Sequence, residues 1–331
     1  MIGKHILHYK IEKKLGEGGM GVVYLAKDLK LERQVAIKFL PHHVAASSEE
    51  RKRFEIEAND RKAIAYLEKT LALDPKNFNA LYSVGETYGL MREYEKALIY
   101  LNKALVLSPD RSVIINAIAN IYVLRDGDIS KARNTILSAR KSKIGEDYSP
   151  FLYALFQFDL YEREYVRAIK LLENVDVLNE QFYYLPKALL AGLAYRFLKN
   201  ETKAKDNFES AKNILEHEID KNPQDSRLYT SLGIACAGLG KKEEAIRAGK
   251  KGVELLPVER ELWRGSFRLF DLAQIYALSG ETQSAMTSIE KLLDCPTDVI
   301  SVALLKLYPI WDPLRELPEY KQLIGTYAGK N

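Results

Sequence analysis

Residues 78–111 read FNALYSVGETYGLMREYEKALIYLNKALVLSPDR, and this stretch decides the fold. The stretch begins three residues after Pro75 and contains Pro109, and these two prolines stand 34 residues apart. Small residues such as Gly85 and Ala97 fall where two helices would cross closely, and large residues fall where neighbouring helix pairs would meet. The stretch therefore predicts a helical hairpin. Its periodic positions are Leu81, Val84, Gly85, Tyr88, Ala97, Leu101 and Ala104.

The same pattern recurs along most of the chain with a period near 34 residues. The recurring positions are Ala132, Ile136, Ala139, Ala168, Leu172, Val175, Gly192, Tyr195, Ala204, Phe208, Ala211, Leu232, Gly233, Ala245, Pro257, Leu272, Ala273, Tyr276, Ala285, Ile289 and Leu292. Six helical pairs are therefore predicted, and strand signals vanish after about residue 60. The pattern resembles the tetratricopeptide (TPR) repeat. That resemblance implies a mainly α fold, a TPR-type α-solenoid of helical hairpins, with a groove that binds a protein or peptide.

The repeat array is predicted to span residues 59–296, and residues 297–331 to form a C-terminal helical cap. The second helix of a further repeat, whose first helix is missing, is marked by Ala63, Leu67, Leu71 and Pro75. Trp311 and Leu314 are interpreted as covering the last apolar face rather than binding a ligand. Asn116 and Asn120 lie four residues apart on a first helix, so they are candidates for hydrogen bonds to an extended peptide in the groove.

Composition places the chain among ordinary folded proteins. Its length of 331 residues is enough for about two domains. The residues are 47% hydrophobic and 28% charged, and the net charge is +4. No block of one charge sign demands nucleic acid or an anionic membrane as a partner, and no apolar stretch is long enough to span a bilayer. Two distant cysteines and an N-terminus without a signal-peptide core predict a cytoplasmic protein. His42 and His43 have no third ligand, so no metal site is predicted.

Residues 1–58 differ from the rest of the chain because they carry β-rich runs. Strands are predicted at Tyr9–Gly16, Gly21–Asp28 and Arg33–Leu40, with glycines permitting a sharp turn after the first. A helix capped by Ser47 or Ser48 follows and continues to Ala58. The prediction is a small α+β fragment of three antiparallel strands plus one helix. A helix from Asp60 to Leu73 would either pack on this sheet or run on from the Ser48 helix.

A phosphate-binding pattern lies within these strands. The pattern G-x-G-x-x-G-x-V is formed by Leu15, Gly16, Glu17, Gly18, Gly19, Met20, Gly21, Val22 and Val23. It connects two strands instead of opening a helix, which argues against a dinucleotide site and for a glycine-rich loop over nucleotide phosphates. The following strand carries Val35-Ala36-Ile37-Lys38. Glycines let backbone amides approach phosphates, and one lysine supplies a positive charge.

In order and spacing, these motifs and the segment Arg53–Ala58 resemble the start of the bacterial eukaryotic-like serine/threonine protein kinases. The resemblance implies ATP binding, with Lys38 pairing the phosphates, Glu57 as its helix partner, and Leu15, Val23 and Ala36 covering the adenine. It ends near Ala58. Some kinases of this kind carry TPR repeats after the catalytic domain, so the chain resembles the two ends of a larger kinase joined near residues 58–62.

The catalytic motifs of that family are missing from the sequence. No H-R-D with its asparagine, no D-F-G and no A-P-E occurs downstream of Lys38. The catalytic base and the magnesium ligands are therefore absent, and phosphotransfer by this chain alone is not expected. The predicted function is a TPR interaction scaffold with an ATP-binding, kinase-like N-terminal fragment. The alternative is a serine/threonine protein kinase whose missing parts are lost or supplied in trans, the only case in which Mg²⁺ would be required.

Overall fold

The computed structural model describes residues 2–6, 8–18, 21–29, 33–39, 48–139 and 149–328. The chain divides into two compact units, residues 1–62 and residues 63–331. Each unit is described by itself.

The N-terminal unit contains an antiparallel sheet in which the strands follow chain order. Its strands are β1 (His5–Ile6), β2 (Tyr9–Gly18), β3 (Gly21–Asp28) and β4 (Arg33–Phe39). The three predicted strands are present, and the short β1 pairs with the start of β2. Ile11 and Ala26 face each other across β2 and β3 and are almost fully buried. Helix α1 (Ser48–Leu73) is continuous, so the second predicted helix runs on from the first.

The second unit is built from consecutive helical pairs. Within residues 63–139 and 149–328 the six pairs are α2 (Phe78–Leu90) with α3 (Tyr94–Leu107), α4 (Ser112–Asp126) with α5 (Ile129–Ala139), α6 (Leu152–Tyr161) with α7 (Tyr165–Leu171), α8 (Lys187–Phe197) with α9 (Glu201–Lys221), α10 (Ser226–Gly238) with α11 (Lys242–Leu255), and α12 (Leu262–Leu278) with α13 (Thr282–Asp294). This is the TPR-type α-solenoid that the 34-residue period predicts.

The turn inside each pair contains one residue with a left-handed backbone. These residues, in chain order, are Arg92, Gly127, Arg163, Lys199, Gly240 and Gly280. A left-handed residue lets a helix end and the chain reverse within a few residues, which keeps the two helices of a pair close together. Because half of these positions are Arg or Lys, glycine alone does not reveal the turns in the sequence.

Small residues sit where the helices of a pair cross. A Cβ atom on Gly85 of α2 would lie 2.6 Å from the Leu101 side chain of α3. Gly192 and Gly238 both border the ring of Phe208, which is completely buried on α9. The packing role that the sequence assigns to Gly85 is therefore confirmed.

The expectation that strands end near residue 60 was wrong. A hairpin of β5 (Val177–Glu180) and β6 (Tyr183–Pro186) is inserted between α7 and α8. Its strands have four residues each, too few to show a clear alternation of polar and apolar side chains. The aromatic run Phe182-Tyr183-Tyr184 was the available signal.

The C-terminal segment packs on α12 and α13 of the last pair and on α4 of the second pair. It contains α14 (Val302–Leu307), a 3₁₀ turn (Pro309–Leu314) and α15 (Pro318–Tyr327). The Ser301 side chain accepts a hydrogen bond from the Leu304 N–H, which caps α14 at its first turn. Trp311 and Leu314 have no exposed surface. Both side chains are therefore enclosed in the protein, and the cap of residues 297–331 stays a prediction.

The described residues contain neither a helix that could span a membrane nor a group of side chains that could hold a metal ion. No helix among them is long and apolar enough to cross a bilayer. No group of three His, Cys, Asp or Glu side chains among them is arranged to hold a metal ion, and His42 and His43 lie outside the described residues. Cys236 is a buried thiol, and burial raises its pKa to about 11.

Candidate functional site

The glycine-rich pattern forms a β-hairpin whose register brings its parts to one level of the sheet. Gly16 of β2 is paired with Val23 of β3, and Val23 is paired with Lys38 of β4. Gly18 is paired with Gly21, the last pair of this hairpin in the register. Gly16 and Lys38 therefore lie at the same level of the sheet, with Val23 of β3 between them, although they are 22 positions apart in the sequence.

Several predicted nucleotide-binding groups lie outside the described part of the chain. These are Gly19 and Met20 and the side chains of Glu17, Lys38 and Glu57. Among the described groups, Leu15 is 52% exposed, Ala36 is exposed, and Val22 and Val23 are half-buried. A Cβ on Gly16 would meet no other atom within 4 Å, so this glycine leaves open space beside the strand. Nucleotide binding at this hairpin stays a prediction.

The two candidate groove asparagines are hydrogen-bonded to the chain itself. The Asn116 Nδ2 donates to the carbonyl of Pro150 at 2.9 Å, and the Asn120 Nδ2 donates to the carbonyl of Asp298 at 3.4 Å. Both acceptors are backbone carbonyls, the type of group that a bound peptide would present. A peptide using these amides would therefore replace carbonyl oxygens that the chain already supplies.

A C-terminal stretch contacts the first two helical pairs. The Arg92 guanidinium, in the turn between α2 and α3, donates to the carbonyls of Leu292 and Leu293. Helix α14 packs on α4, and Leu307 lies against Gly127 at the end of α4. These contacts join residues about 200 positions apart in the chain. The last repeat is thus connected directly to the first.

The inserted hairpin is fixed on the first helices of the last two pairs. The Ser231 Oγ of α10 donates to the carbonyl of Tyr184 at 2.7 Å. The guanidinium of Arg268 on α12 donates to the carbonyl of Phe182, and Arg227 at the start of α10 donates to the carbonyl of Glu180. The first-helix face of this array is therefore lined by three segments of the chain itself, namely residues 149–151, 177–186 and 292–308.

Two acidic side chains meet where the C-terminal stretch contacts the first pair. The Tyr82 hydroxyl donates to the Glu86 carboxylate on α2. Burial raises the pKa of Glu86, and the negative charge of Asp298 raises it further. Burial also raises the pKa of the Asp298 carboxyl, whose Oδ1 is enclosed without a hydrogen-bond partner. This contact therefore places two carboxyl groups where burial disfavours their charged forms.

The substitution Asp298→Asn is expected to raise the free energy of unfolding at pH 7, because a neutral amide removes the cost of burying a carboxylate. The pKa of Asp298 is higher in the folded than in the unfolded chain, so its contribution to stability is fully present below about pH 4. That contribution is lost as the pH rises toward the folded-state pKa. Each unit of raised pKa corresponds to about 1.4 kcal/mol.

Urea unfolding between pH 4 and pH 8 tests this expectation. The stability difference between Asp298→Asn and the unaltered protein should grow with pH. Asp110→Asn is the matched control, since Asp110 is exposed, and its difference should stay constant. A pH-independent difference for Asp298→Asn would contradict the assignment of unfavourable buried charge to this carboxylate.

The helical array has the fold of a TPR-type α-solenoid, and part of it matches a family model. The tetratricopeptide repeat family model matches residues 61–112. A solved tetratricopeptide repeat protein from Parabacteroides merdae is similar over 81% of this chain and 98% of its own, with 16% identity and a TM-score of 0.46.

Similarity to two kinases covers less than a third of the chain. The serine/threonine-protein kinase PrkC of Bacillus subtilis is 38% identical over 98 residues, which are 28% of this chain and 14% of PrkC. The serine/threonine-protein kinase PknF of Mycobacterium tuberculosis is 46% identical over 57 residues, 17% of this chain and 12% of PknF. The chain thus spans less than one sixth of the length of either kinase.

Proposed function

We propose that this chain is a protein-interaction scaffold. The observation that supports this proposal is that six helical pairs stack into one array. Each pair exposes one helix on a continuous face, and stacked repeats of this type offer an extended surface to a partner. Because residues 149–151, 177–186 and 292–308 already line the first-helix face, a partner would bind beside these segments or replace one of them.

The N-terminal unit is proposed to bind ATP weakly. Support comes from the strand register that aligns Gly16, Val23 and Lys38, and from the partial similarity to two kinases. The glycine-rich hairpin would contact the phosphates through backbone amides, and Lys38 would supply the positive charge. Since the H-R-D and D-F-G motifs are missing from the sequence, kinase activity is proposed only for an assembly that receives them from another chain.

The substitution Lys38→Ala is expected to abolish stabilisation by ATP without affecting partner capture. A ligand that binds the folded chain raises its melting temperature, by an amount that depends on the ligand concentration relative to Kd. The melting temperature of the full chain is measured against ATP up to millimolar concentration, with and without Mg²⁺. In a second assay the full chain is immobilised and the proteins that bind to it are captured. Those that an excess of soluble chain displaces are counted as partners.

The two parts of the proposal fail separately in this experiment. An ATP-induced shift that survives Lys38→Ala would contradict nucleotide binding at the hairpin. The absence of any protein displaced by soluble chain would contradict the scaffold. Lys27→Ala is the matched control for Lys38→Ala, since Lys27 lies exposed on β3 and outside the glycine-rich pattern, and it should leave both results unchanged.

A further inference from the structure

A cavity of about 570 Å³ opens beside the tip of the inserted hairpin. Gln181 and Phe182 at the tip form one wall, and Leu255 and Leu256 at the end of α11 form another. The N-terminal turns of α10 and α12 border the same space. The cavity is thus the space left between the hairpin and the last two helical pairs, where the first-helix face is not filled by the chain itself.

Four arginines line this cavity, and three of them have a carboxylate partner. Arg227 forms a bidentate pair with Asp225, with its Nη2 2.6 Å from the Asp225 Oδ2. The Arg264 Nε lies 2.7 Å from the Glu261 Oε2. The Arg268 Nη2 lies 3.3 Å from the Asp271 Oδ2. Of the charged side chains that line the cavity itself, four are arginines and one, Asp225, is a carboxylate.

Arg260 supplies the excess positive charge. Its side chain is exposed, lines the cavity and makes no ion pair within 4.0 Å in the part of the chain that the structure describes. Its guanidinium is therefore available to a ligand. A guanidinium binds planar carboxylates and phosphates through two parallel hydrogen bonds, which makes an oxyanion the fitting ligand.

Arg268 adds a second, independent indication of an anion. It is only 2% exposed, and its Nη1 is enclosed without a hydrogen-bond partner, while Nη2 is directed to the Phe182 carbonyl and to Asp271. A buried guanidinium with an unpartnered nitrogen is costly unless further negative charge lies nearby. An oxyanion in the cavity would provide that charge beside the buried arginine.

The remaining features of the cavity agree with an anionic ligand that has an apolar portion. Helices α10 and α12 begin at its edge, and helix N-termini carry positive partial charge. Phe182 is packed between the rings of Trp263 and Phe267, with centroid distances of 4.9 and 4.7 Å, so it is a rigid apolar wall. A peptide side chain flanked by apolar residues combines both properties.

We propose that this cavity is a binding site for an oxyanion, a carboxylate or a phosphate group, carried by a peptide. That the ligand is a peptide rests on the proposed scaffold function. That the ligand is an anion rests on Arg260 and the enclosed Arg268. Arg260 makes the direct contact, and Arg268 attracts the anion from beneath. Phe182, Leu255 and Leu256 accommodate an apolar neighbour of the anionic residue.

Isothermal titration of the full chain in chloride buffer at low ionic strength tests the proposal. The probes are three short acetylated and amidated peptides, identical except for a central serine, phosphoserine or glutamate between two phenylalanines. Inorganic phosphate is the fourth probe. The phosphoserine or glutamate peptide is expected to bind, and the serine peptide is not. Arg260→Gln should weaken this binding about ten-fold, since it removes a charge-assisted hydrogen bond.

Matched variants separate the site from general charge attraction. Arg247→Gln removes an exposed arginine of α11 that does not line the cavity, and it should leave the affinity unchanged. Both variants replace exposed side chains, so melting curves will establish that they fold. Equal weakening by the two substitutions would overturn the site, and so would the absence of binding by both charged peptides at millimolar concentration.

Two further outcomes are distinguished by the same measurements. Inorganic phosphate that binds as tightly as the phosphopeptide would overturn the peptide carrier. If the charged peptides fail while the immobilised chain still captures a displaceable partner, the cavity proposal is wrong and the scaffold stands. Because ATP is itself a polyanion, an ATP shift that is lost in Arg260→Gln but kept in Lys38→Ala would support the cavity and contradict the nucleotide site at the hairpin.

Discussion

Trp311→Ala is expected to lower the free energy of unfolding by about 3–5 kcal/mol, the usual cost of truncating a buried aromatic side chain to alanine. Trp311 has no exposed surface in the 3₁₀ turn Pro309–Leu314. Its ring makes edge contacts with Phe270 on α12, at a centroid distance of 5.9 Å, and with Tyr308, at 6.3 Å. Its indole N–H has no hydrogen-bond partner, so the loss is mainly one of apolar packing.

Trp263→Ala provides the matched control, because the chain contains two tryptophans. Trp263 is 39% exposed and contacts Phe182 at the edge of the hairpin, so its truncation should cost less than half as much. Both variants are compared by urea unfolding followed through circular dichroism. Equal losses would contradict the assignment of Trp311 to the cap of the array.

The helical pairs could be predicted from the sequence because their packing repeats. Gly85 with Leu101 and Gly192 with Phe208 are local contacts between neighbouring helices, so each leaves a mark at a fixed spacing. The burial of Trp311 was predictable for the same reason, since an array must bury its last apolar face.

The lining of the first-helix face could not be predicted, because it depends on contacts between distant residues. The bond from Asn120 to the Asp298 carbonyl joins positions 178 residues apart, and the acceptor is a backbone group that every residue possesses. The arginine cavity is hidden in the same way, since Arg227 and Arg268 come together only when the short hairpin is placed between them. No spacing in the sequence marks either arrangement.

The glycine-rich pattern is an intermediate case. Glycines between two β-rich runs predicted a hairpin, and the pairing of Gly18 with Gly21 agrees with it. The alignment of Gly16, Val23 and Lys38 follows from strand register, which the spacing of the motifs fixes. The catalytic base and the metal ligands of a kinase belong to motifs that the sequence does not contain, so no pattern in this chain predicts them.

A second large loss of stability is expected where α10 and α11 cross closely. Gly233→Leu is expected to lower the free energy of unfolding by about 3 kcal/mol, through overpacking between α10 and its neighbours. A Cβ at Gly233 would lie 2.9 Å from the carbonyl oxygen of Ala245 on α11 and 2.5 Å from the Ile275 side chain on α12. The isoleucine methyl can move, but the Ala245 carbonyl belongs to a helix backbone. The two helices of the pair must therefore separate.

Gly325→Leu is the matched control for the same change in side chain. Gly325 lies exposed within α15, and a Cβ there would meet no atom within 4 Å. Leucine is a better helix former than glycine, so this variant should gain up to about 1 kcal/mol. Opposite signs for the two substitutions in urea unfolding would show that the cost at Gly233 comes from helix contact. If Gly233→Leu were neutral, the tight crossing of α10 and α11 would be contradicted, and with it the geometry that sets Arg227 beside the cavity.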